Sequence, residues 1–163
     1  MDIASTKCLF LPGFFQIGYV SNDLDRAQRL LGEQFGIENF HQMLDLDFDE
    51  KTRICIATAY VGETMIEIIT PTGTGEDIYS MHLPSNEDFV IRHHHYGHLY
   101  TREEDWLHVQ SMIRKHPVVY HSEMEGLIEA VYIDTRSTLG HYLEYIYATP
   151  AGLEFLNLAP QNG

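Results

Sequence analysis

Two stretches of the chain, 79 residues apart, share one local pattern, and this internal repeat limits the possible folds more than any other feature. Gln16–Val20 aligns without a gap onto His95–Leu99. An amphipathic segment with helical spacing follows each stretch. A chain that repeats one pattern in this way is expected to fold as two similar modules.

The first amphipathic segment predicts a helix whose apolar residues are Leu24, Ala27 and Leu31. Asn22 is placed to cap its start, and Gly32 and Gly36 are expected to end it. The second segment has the same spacing in Trp106, Val109 and Ile113. There Thr101 and Glu104 form a capping-box pattern, and Pro117 is expected to stop the helix.

Three strand-like runs rich in β-branched and aromatic residues follow each helix. They are Phe40–Phe48, Arg53–Val61 and Thr64–Thr70 in the first copy, and Val118–Met124, Ile128–Asp134 and His141–Ala148 in the second. The last runs also correspond, since Glu144 lies 77 residues after Glu67. The sequence therefore predicts an α+β fold in which two βαβββ modules form a curled mixed sheet around a central cleft.

With 163 residues, 44% of them hydrophobic, the chain is long enough for one substantial core, so we predict a single domain over residues 1–163. The first module spans residues 14–71 and the second spans 93–150. Residues 72–92, rich in Gly, Pro, Ser and Asp, form the linker, and residues 151–163 form a C-terminal tail.

Four polar side chains occupy repeat-related positions on these strands. Gln16 and His95 share one position on the first strand of each module, and Glu67 and Glu144 share one on the fourth. Both carboxylates sit in apolar strands, where an unpaired charge costs roughly several kcal/mol. A divalent cation would compensate two carboxylates, with a neutral amide and a neutral imidazole completing its ligands.

Other interpretations of these residues stay open at this point. Glu67 could pair with Arg53, and Glu144 could pair with His141. His95 lies in the run His93–His95, with His98 nearby. It is preferred because His94 and His98 fall on other faces or out of the repeat register.

The four strands resemble the ligand-bearing strands of the vicinal-oxygen-chelate superfamily. The resemblance covers nearly all of residues 14–150 and rests on Gln16–Val20, Met65–Ile69, His94–Gly97 and Gly140–Tyr145. It implies that Gln16, Glu67, His95 and Glu144 bind a divalent metal ion. Zinc or nickel is the expected ion, with cobalt, manganese and iron as alternatives.

The ligand order Gln, Glu, His, Glu is similar to that of glyoxalase I. The resemblance therefore implies a glyoxalase-like lyase or isomerase that removes a proton next to a carbonyl, with Glu144 as first catalytic base and Glu67 on the opposite face. One alternative is an acyl-CoA epimerase of the methylmalonyl-CoA type. A second is a non-catalytic binding protein of the bleomycin-resistance type. Iron dioxygenases use a His where this chain has Gln16.

The net charge of −14, with only ten Lys plus Arg, argues against nucleic acid or an anionic membrane surface as a partner. A small-molecule substrate is expected instead, although the arginines form no cluster that selects glutathione or CoA. Two cysteines and the lack of a convincing signal peptide favour a cytoplasmic protein. Small members of the superfamily are often homodimers, and we expect the same here.

Overall fold

The computed structural model describes residues 2–10, 12–73 and 75–163, which form nine strands and four α-helices. The first βαβββ run is β1 (Phe14–Ser21), α1 (Leu24–Phe35), β2 (His41–Asp47), β3 (Thr52–Val61) and β4 (Thr64–Gly73). The second is β5 (Ile91–Tyr100), α2 (Glu103–Ile113), β6 (Val118–Met124), β7 (Ile128–Asp134), the short α3 (Arg136–Leu139) and β8 (Tyr142–Ala148). The chain ends with α4 (Pro150–Leu156) and β9 (Gln161–Asn162). The predicted α+β class and the two βαβββ modules are confirmed.

One compact unit comprises residues 16–94 and 158–163, and we call it the Glu67 unit. Its strands lie in the order β2-β3-β4-β1, with β1 parallel to β4 and the other neighbours antiparallel. The apolar side of α1 packs on one face of β3 and β4 in a buried cluster, formed by Leu24, Ala27, Leu31, Ala57 and Ile68. The opposite face of the same strands therefore presents Glu67.

The second compact unit comprises residues up to 15 and 95–157, and we call it the His95 unit. Its strands lie in the order β5-β8-β7-β6, with β5 parallel to β8. Helix α2 covers one face, and the core there consists of Tyr100, Trp106, Val109, Ile113, Val131, Ile133, Leu143 and Tyr145. Because side chains alternate along a strand, Glu144 points away from this core.

The internal repeat holds at the level of strand register. Gly18 lies opposite Glu67 where β1 pairs with β4, and Gly97 lies opposite Glu144 where β5 pairs with β8. Each module thus places a glycine beside the carboxylate of its fourth strand, as the 79- and 77-residue offsets in the sequence imply.

The start and end of α1 differ in detail from the prediction. Asp23, not Asn22, is the N-cap, because its side chain accepts a hydrogen bond from the Arg26 N–H at 2.9 Å. Gly36 ends the helix with a φ of 73°, as expected, but Gly32 lies inside it. A left-handed cap favours glycine, whereas a glycine with ordinary helical angles does not stop a helix.

The capping box predicted for α2 is wrong. Arg102 occupies the N-cap, without a side-chain capping bond, so Thr101 lies one residue outside the helix. The carboxylate of Glu104 forms an ion pair with the Arg102 guanidinium instead of returning to the Thr101 backbone. Acidic residues in the first turn still stabilise this end of the helix dipole.

Two C-terminal elements were not predicted. Thr149 is the N-cap of helix α4, because its hydroxyl accepts a hydrogen bond from the Gly152 N–H at 3.1 Å, and Pro150 lies in the first turn. Strand β9 pairs with β3, and the Tyr60 N–H donates to the Pro160 carbonyl at 2.8 Å. None of the helices in the described residues combines the length and the hydrophobicity that a membrane-spanning segment requires.

Candidate metal centre

The face of the His95 unit that lies opposite its core is a patch of polar and aromatic side chains. Ladder partners share a face, so the pairs His95–Tyr142, Gly97–Glu144 and Tyr132–Glu144 place these residues together. The predicted neighbours His95 and Glu144 thus meet on adjacent strands.

Contact between His95 and Glu144 is close and buried. Nε2 of His95 lies 3.2 Å from Oε2 of Glu144, and the two side chains are 0% and 8% exposed. Oε2 is nevertheless buried without a hydrogen-bond partner in the described part of the chain, because the approach of the imidazole does not have hydrogen-bond geometry. Two ligand atoms that converge in this way suit a cation between them.

Aromatic rings enclose this pair. The Tyr132 ring meets the His95 ring edge-on, with 5.2 Å between centroids, and Tyr142 is almost fully buried. Arg136 stacks over Tyr142 at 4.8 Å, but its guanidinium also binds the Asp134 carboxylate at 2.9 and 2.7 Å. The rings exclude water from Glu144, and the Arg136 charge is already balanced by Asp134.

His98 supports the backbone of Glu144 from the core side. Its ring is fully buried, stacks on Tyr145 with 5.0 Å between centroids, and places Nδ1 2.8 Å from the Glu144 carbonyl oxygen. Burial lowers the pKa of His98, so the imidazole is neutral and Nδ1–H donates to that carbonyl. This bond holds the strand segment from which the Glu144 carboxylate projects.

In the Glu67 unit, Gln16 and Glu67 lie on one face of two neighbouring strands. Gln16 pairs with Met65, and Glu67 lies two residues further along β4, opposite Gly18. Gln16 is 2% exposed, and its amide nitrogen donates to the Met65 sulfur at 3.3 Å. Thr58 of β3 flanks Glu67 on the other side.

Arg53 and His141, the alternative partners considered for the two glutamates, bind other groups in the structure. Arg53 binds the carboxylates of Asp45 and Asp47, at 2.5 and 3.1 Å, beside an irregularity between β2 and β3. Nδ1 of His141 lies 2.8 Å from the Tyr142 carbonyl. The residue paired with Glu144 is therefore His95, not His141.

Two residues with a direct part in this arrangement were missed by sequence reasoning. The sequence indicates Tyr132 only as part of a strand-like run, and it gives His98 no position among the candidate ligands. Tyr132 becomes recognisable only when β7 is aligned against β8, because its position opposite Glu144 is a cross-strand relationship. The bond from His98 to the Glu144 carbonyl has no local sequence signal.

Two comparisons by sequence give no match. No protein-family model matches the chain. None of the curated proteins matches it significantly.

Comparison by structure finds many similar folds. A Streptomyces coelicolor methylmalonyl-CoA epimerase in complex with 2-nitronate-propionyl-CoA superposes with a TM-score of 0.60 at 15% identity, covering 84% of this chain and 94% of the other. For the epimerase from Mycobacterium tuberculosis the TM-score is 0.59 at 14% identity, covering 90% and 95%. A hypothetical protein from Bacillus halodurans gives 0.58 at 13% identity, covering 82% and 92%. The chain shares its fold with these methylmalonyl-CoA epimerases. For the fold, this agrees with the resemblance seen in the sequence.

Proposed function

We propose that this chain is a metal-dependent enzyme in which Gln16, Glu67, His95 and Glu144 bind a divalent cation. The observation that carries the proposal is the buried Oε2 of Glu144, which has no hydrogen-bond partner among the described residues and lies 3.2 Å from Nε2 of His95. Glu67, His95 and Glu144 are side chains of the types that could together hold such an ion. Gln16 joins them by its repeat relationship to His95.

Zinc or nickel suits this donor set best. One imidazole, one amide oxygen and two carboxylates provide mixed nitrogen and oxygen ligands, and two negative charges balance a dication. Cobalt, manganese and iron also accept mixed nitrogen and oxygen ligands. Metal analysis of the purified protein identifies the bound ion.

The reaction that we propose is removal of a proton from a carbon next to a carbonyl. The cation, when bound, would act as a Lewis acid that stabilises negative charge on the substrate oxygens. The Glu144 carboxylate accepts the proton as the C–H bond breaks, and the electron pair of that bond moves into the carbonyl π system. The surrounding tyrosine rings keep water from competing for the proton.

Return of the proton completes the reaction and determines its class. Glu144 can return it to a neighbouring carbon, which gives isomerisation of the glyoxalase type. Glu67, on the repeat-related strand, can instead deliver a proton to the opposite face of the same carbon, which gives epimerisation. In both cases atoms are conserved and no oxidant is required.

The two reaction classes are supported by different observations. The order Gln, Glu, His, Glu favours a glyoxalase-like lyase or isomerase, whereas the structural neighbours named methylmalonyl-CoA epimerases favour epimerisation of an acyl thioester. A non-catalytic binding protein of the same fold would not need a buried carboxylate beside a histidine, as Glu144 is beside His95.

Metal content is the first test. We expect purified wild-type protein to bind about one equivalent of zinc or nickel, measured by plasma mass spectrometry after equilibrium dialysis. Glu144→Gln and Glu67→Gln should each lose most of this metal. Glu154→Gln and Glu63→Gln make the same chemical change at exposed sites in the two units and should retain it. Wild-type protein that binds no stoichiometric metal contradicts the proposal.

Proton exchange in D₂O is the second test and separates the reaction classes. An epimerase incorporates deuterium at the stereocentre of a 2-substituted acyl-CoA and racemises it. A glyoxalase-like enzyme converts the hemithioacetal of methylglyoxal and glutathione into a thioester. Metal-loaded protein that exchanges no substrate proton with either compound would favour the binding-protein alternative.

A further inference from the structure

A folded segment of the Glu67 unit covers part of the face that presents Glu67. This covering segment, Asp77–Leu83, lies in the stretch between β4 and β5 that the sequence identified only as a linker. Tyr79 is 3% exposed and belongs to one buried cluster with Val20, Ile54 and Ile69. Ile78 and Leu83 pack against the same cluster.

Strand register shows how close this cover comes to Glu67. Val20 pairs with Ile69 in the same ladder in which Gly18 pairs with Glu67, so Ile69 and Glu67 share one face of β4, two residues apart. Two residues along a strand span roughly 7 Å. The covering segment therefore occupies the position next to Glu67 in the direction of the C-terminal end of β4.

Aromatic contacts and a bond to β5 hold Tyr79 in place. Its ring lies 5.1 Å from the Phe48 ring and 4.9 Å from the His94 ring, measured between centroids. Nε2 of His94 lies 2.8 Å from the Ile78 carbonyl oxygen. Tyr79 is thus fixed from both sides.

Asp77 anchors the start of the segment. Its Oδ1 accepts hydrogen bonds from the N–H groups of Tyr79 and Ser80, at 2.7 and 2.8 Å. Its Oδ2 accepts one from the Thr52 hydroxyl of β3 at 3.3 Å. At the other end, the Arg92 guanidinium donates to the His82 carbonyl at 2.7 Å. The segment is built onto the unit at both ends.

We propose that Tyr79 determines substrate length: its side chain forms a wall that ends the space available to a substrate bound beside Glu67. The inference rests on the proposed metal-dependent function. It assigns the substrate to compact chelating carbonyl compounds, with only a few carbon atoms on the Glu67 side of the reacting centre.

Straight-chain hydroxamates test this wall, because each chelates zinc through the same two oxygens and differs only in alkyl length. Affinity of the zinc-loaded, full-length protein would be measured by calorimetry from acetohydroxamate to octanohydroxamate. For wild type we expect affinity to stop rising after the first few methylene groups. In Tyr79→Ala and Tyr79→Leu it should continue to rise, by about fourfold for each further methylene that becomes buried.

Two controls show whether a changed length profile is specific to Tyr79. Phe35→Ala removes an aromatic ring that is 68% exposed at the end of α1, and it should leave the length profile unchanged. Acetohydroxamate affinity should change less than twofold in every variant, since the short ligand does not reach the wall. Tyr79→Leu retains an apolar side chain and keeps the test available if Tyr79→Ala does not fold.

The hydroxamate measurements distinguish failure of this inference from failure of the proposed function. A folded Tyr79→Leu protein with the wild-type length profile overturns the inference while acetohydroxamate still binds. Wild type that binds octanohydroxamate as tightly as the variants also overturns it, because the wall would then not limit length. If zinc-treated wild type binds no hydroxamate at all, the metal site is wrong and the inference falls with it.

Discussion

Nε2 of His95 lies 3.2 Å from Oε2 of Glu144. Both side chains are buried on the face of β5 and β8 that lies opposite the hydrophobic core covered by α2. Without a cation, the Glu144 charge is buried without a hydrogen-bond donor for that oxygen in the described residues. Such a buried charge lowers the free energy of unfolding of the apoprotein, and metal binding raises it again.

The first prediction concerns the stability of the apoprotein. Glu144→Gln removes the buried charge, so metal-free Glu144→Gln should be more stable than metal-free wild type by about 1–3 kcal/mol. Added zinc should stabilise wild type but not the variant. Urea denaturation with and without metal measures both effects. If the variant is less stable than wild type without metal, the protein stabilises the Glu144 carboxylate without a cation, and the metal proposal loses its main support.

The second prediction concerns His98. His98→Phe keeps a ring that can stack on Tyr145 but loses the hydrogen bond to the Glu144 carbonyl. We expect zinc affinity to fall by about tenfold, because the strand segment that orients the ligand is less well held. We also expect a loss of about 1–3 kcal/mol in the free energy of unfolding, since a buried carbonyl loses its donor.

Competition with a zinc-binding dye measures the affinity of the His98 variant. His108→Phe serves as control, because His108 also bonds a backbone carbonyl, that of Thr6 at 2.7 Å, but lies away from the Glu144 strand. It should lose stability without losing zinc affinity. Equal affinity losses in both variants would mean that His98 acts through general stability alone.

Internal repetition made the correspondence between the two modules predictable. The alignment of Gln16 with His95, and of Glu67 with Glu144, identified equivalent positions and faces. The register that places a glycine opposite each carboxylate is seen only in the strand pairing. The caps were harder, because Asn22 and Asp23 are both good N-cap residues and only the hydrogen bond to Arg26 decides between them.

Long-range packing was not predictable from the sequence. Ile78, Tyr79 and Leu83 have neither strand nor helix spacing, so nothing local indicates that they pack on Ile69. The bond from His98 to the Glu144 carbonyl likewise joins positions 46 residues apart. Such contacts depend on which surfaces the folded strands leave exposed.

The third prediction concerns alkaline pH. Burial raises the pKa of Tyr145 well above its ordinary value of 10.0, and its hydroxyl donates to the Leu9 carbonyl at 3.0 Å. The native state therefore keeps a proton that the unfolded chain releases above about pH 10. The contribution of Tyr145 to the free energy of unfolding should be constant below that pH and decrease as the pH rises through it.

Tyr145→Phe isolates this effect. The variant should lose about 1 kcal/mol at pH 8 through the missing hydrogen bond, and its stability should then decrease less steeply than that of wild type between pH 10 and 11. Urea denaturation at each pH gives both quantities. An unchanged slope would show that Tyr145 does not hold its proton in the folded protein.

The fourth prediction compares two glycines. A Cβ at Gly152 of α4 would lie 2.1 Å from the Leu127 carbonyl oxygen, so this glycine allows the helix to approach the start of β7. A Cβ at Gly32 of α1 would lie 3.5 Å from its nearest neighbour, the Ile37 carbonyl oxygen, and Gly32 has helical geometry. Gly152→Ala should therefore destabilise the protein by about 1–3 kcal/mol, because backbone must shift. Gly32→Ala should stabilise it by up to about 1 kcal/mol through helix propensity. Thermal unfolding followed by circular dichroism measures both changes, and equal effects of the two substitutions would contradict the close approach of α4 to Leu127.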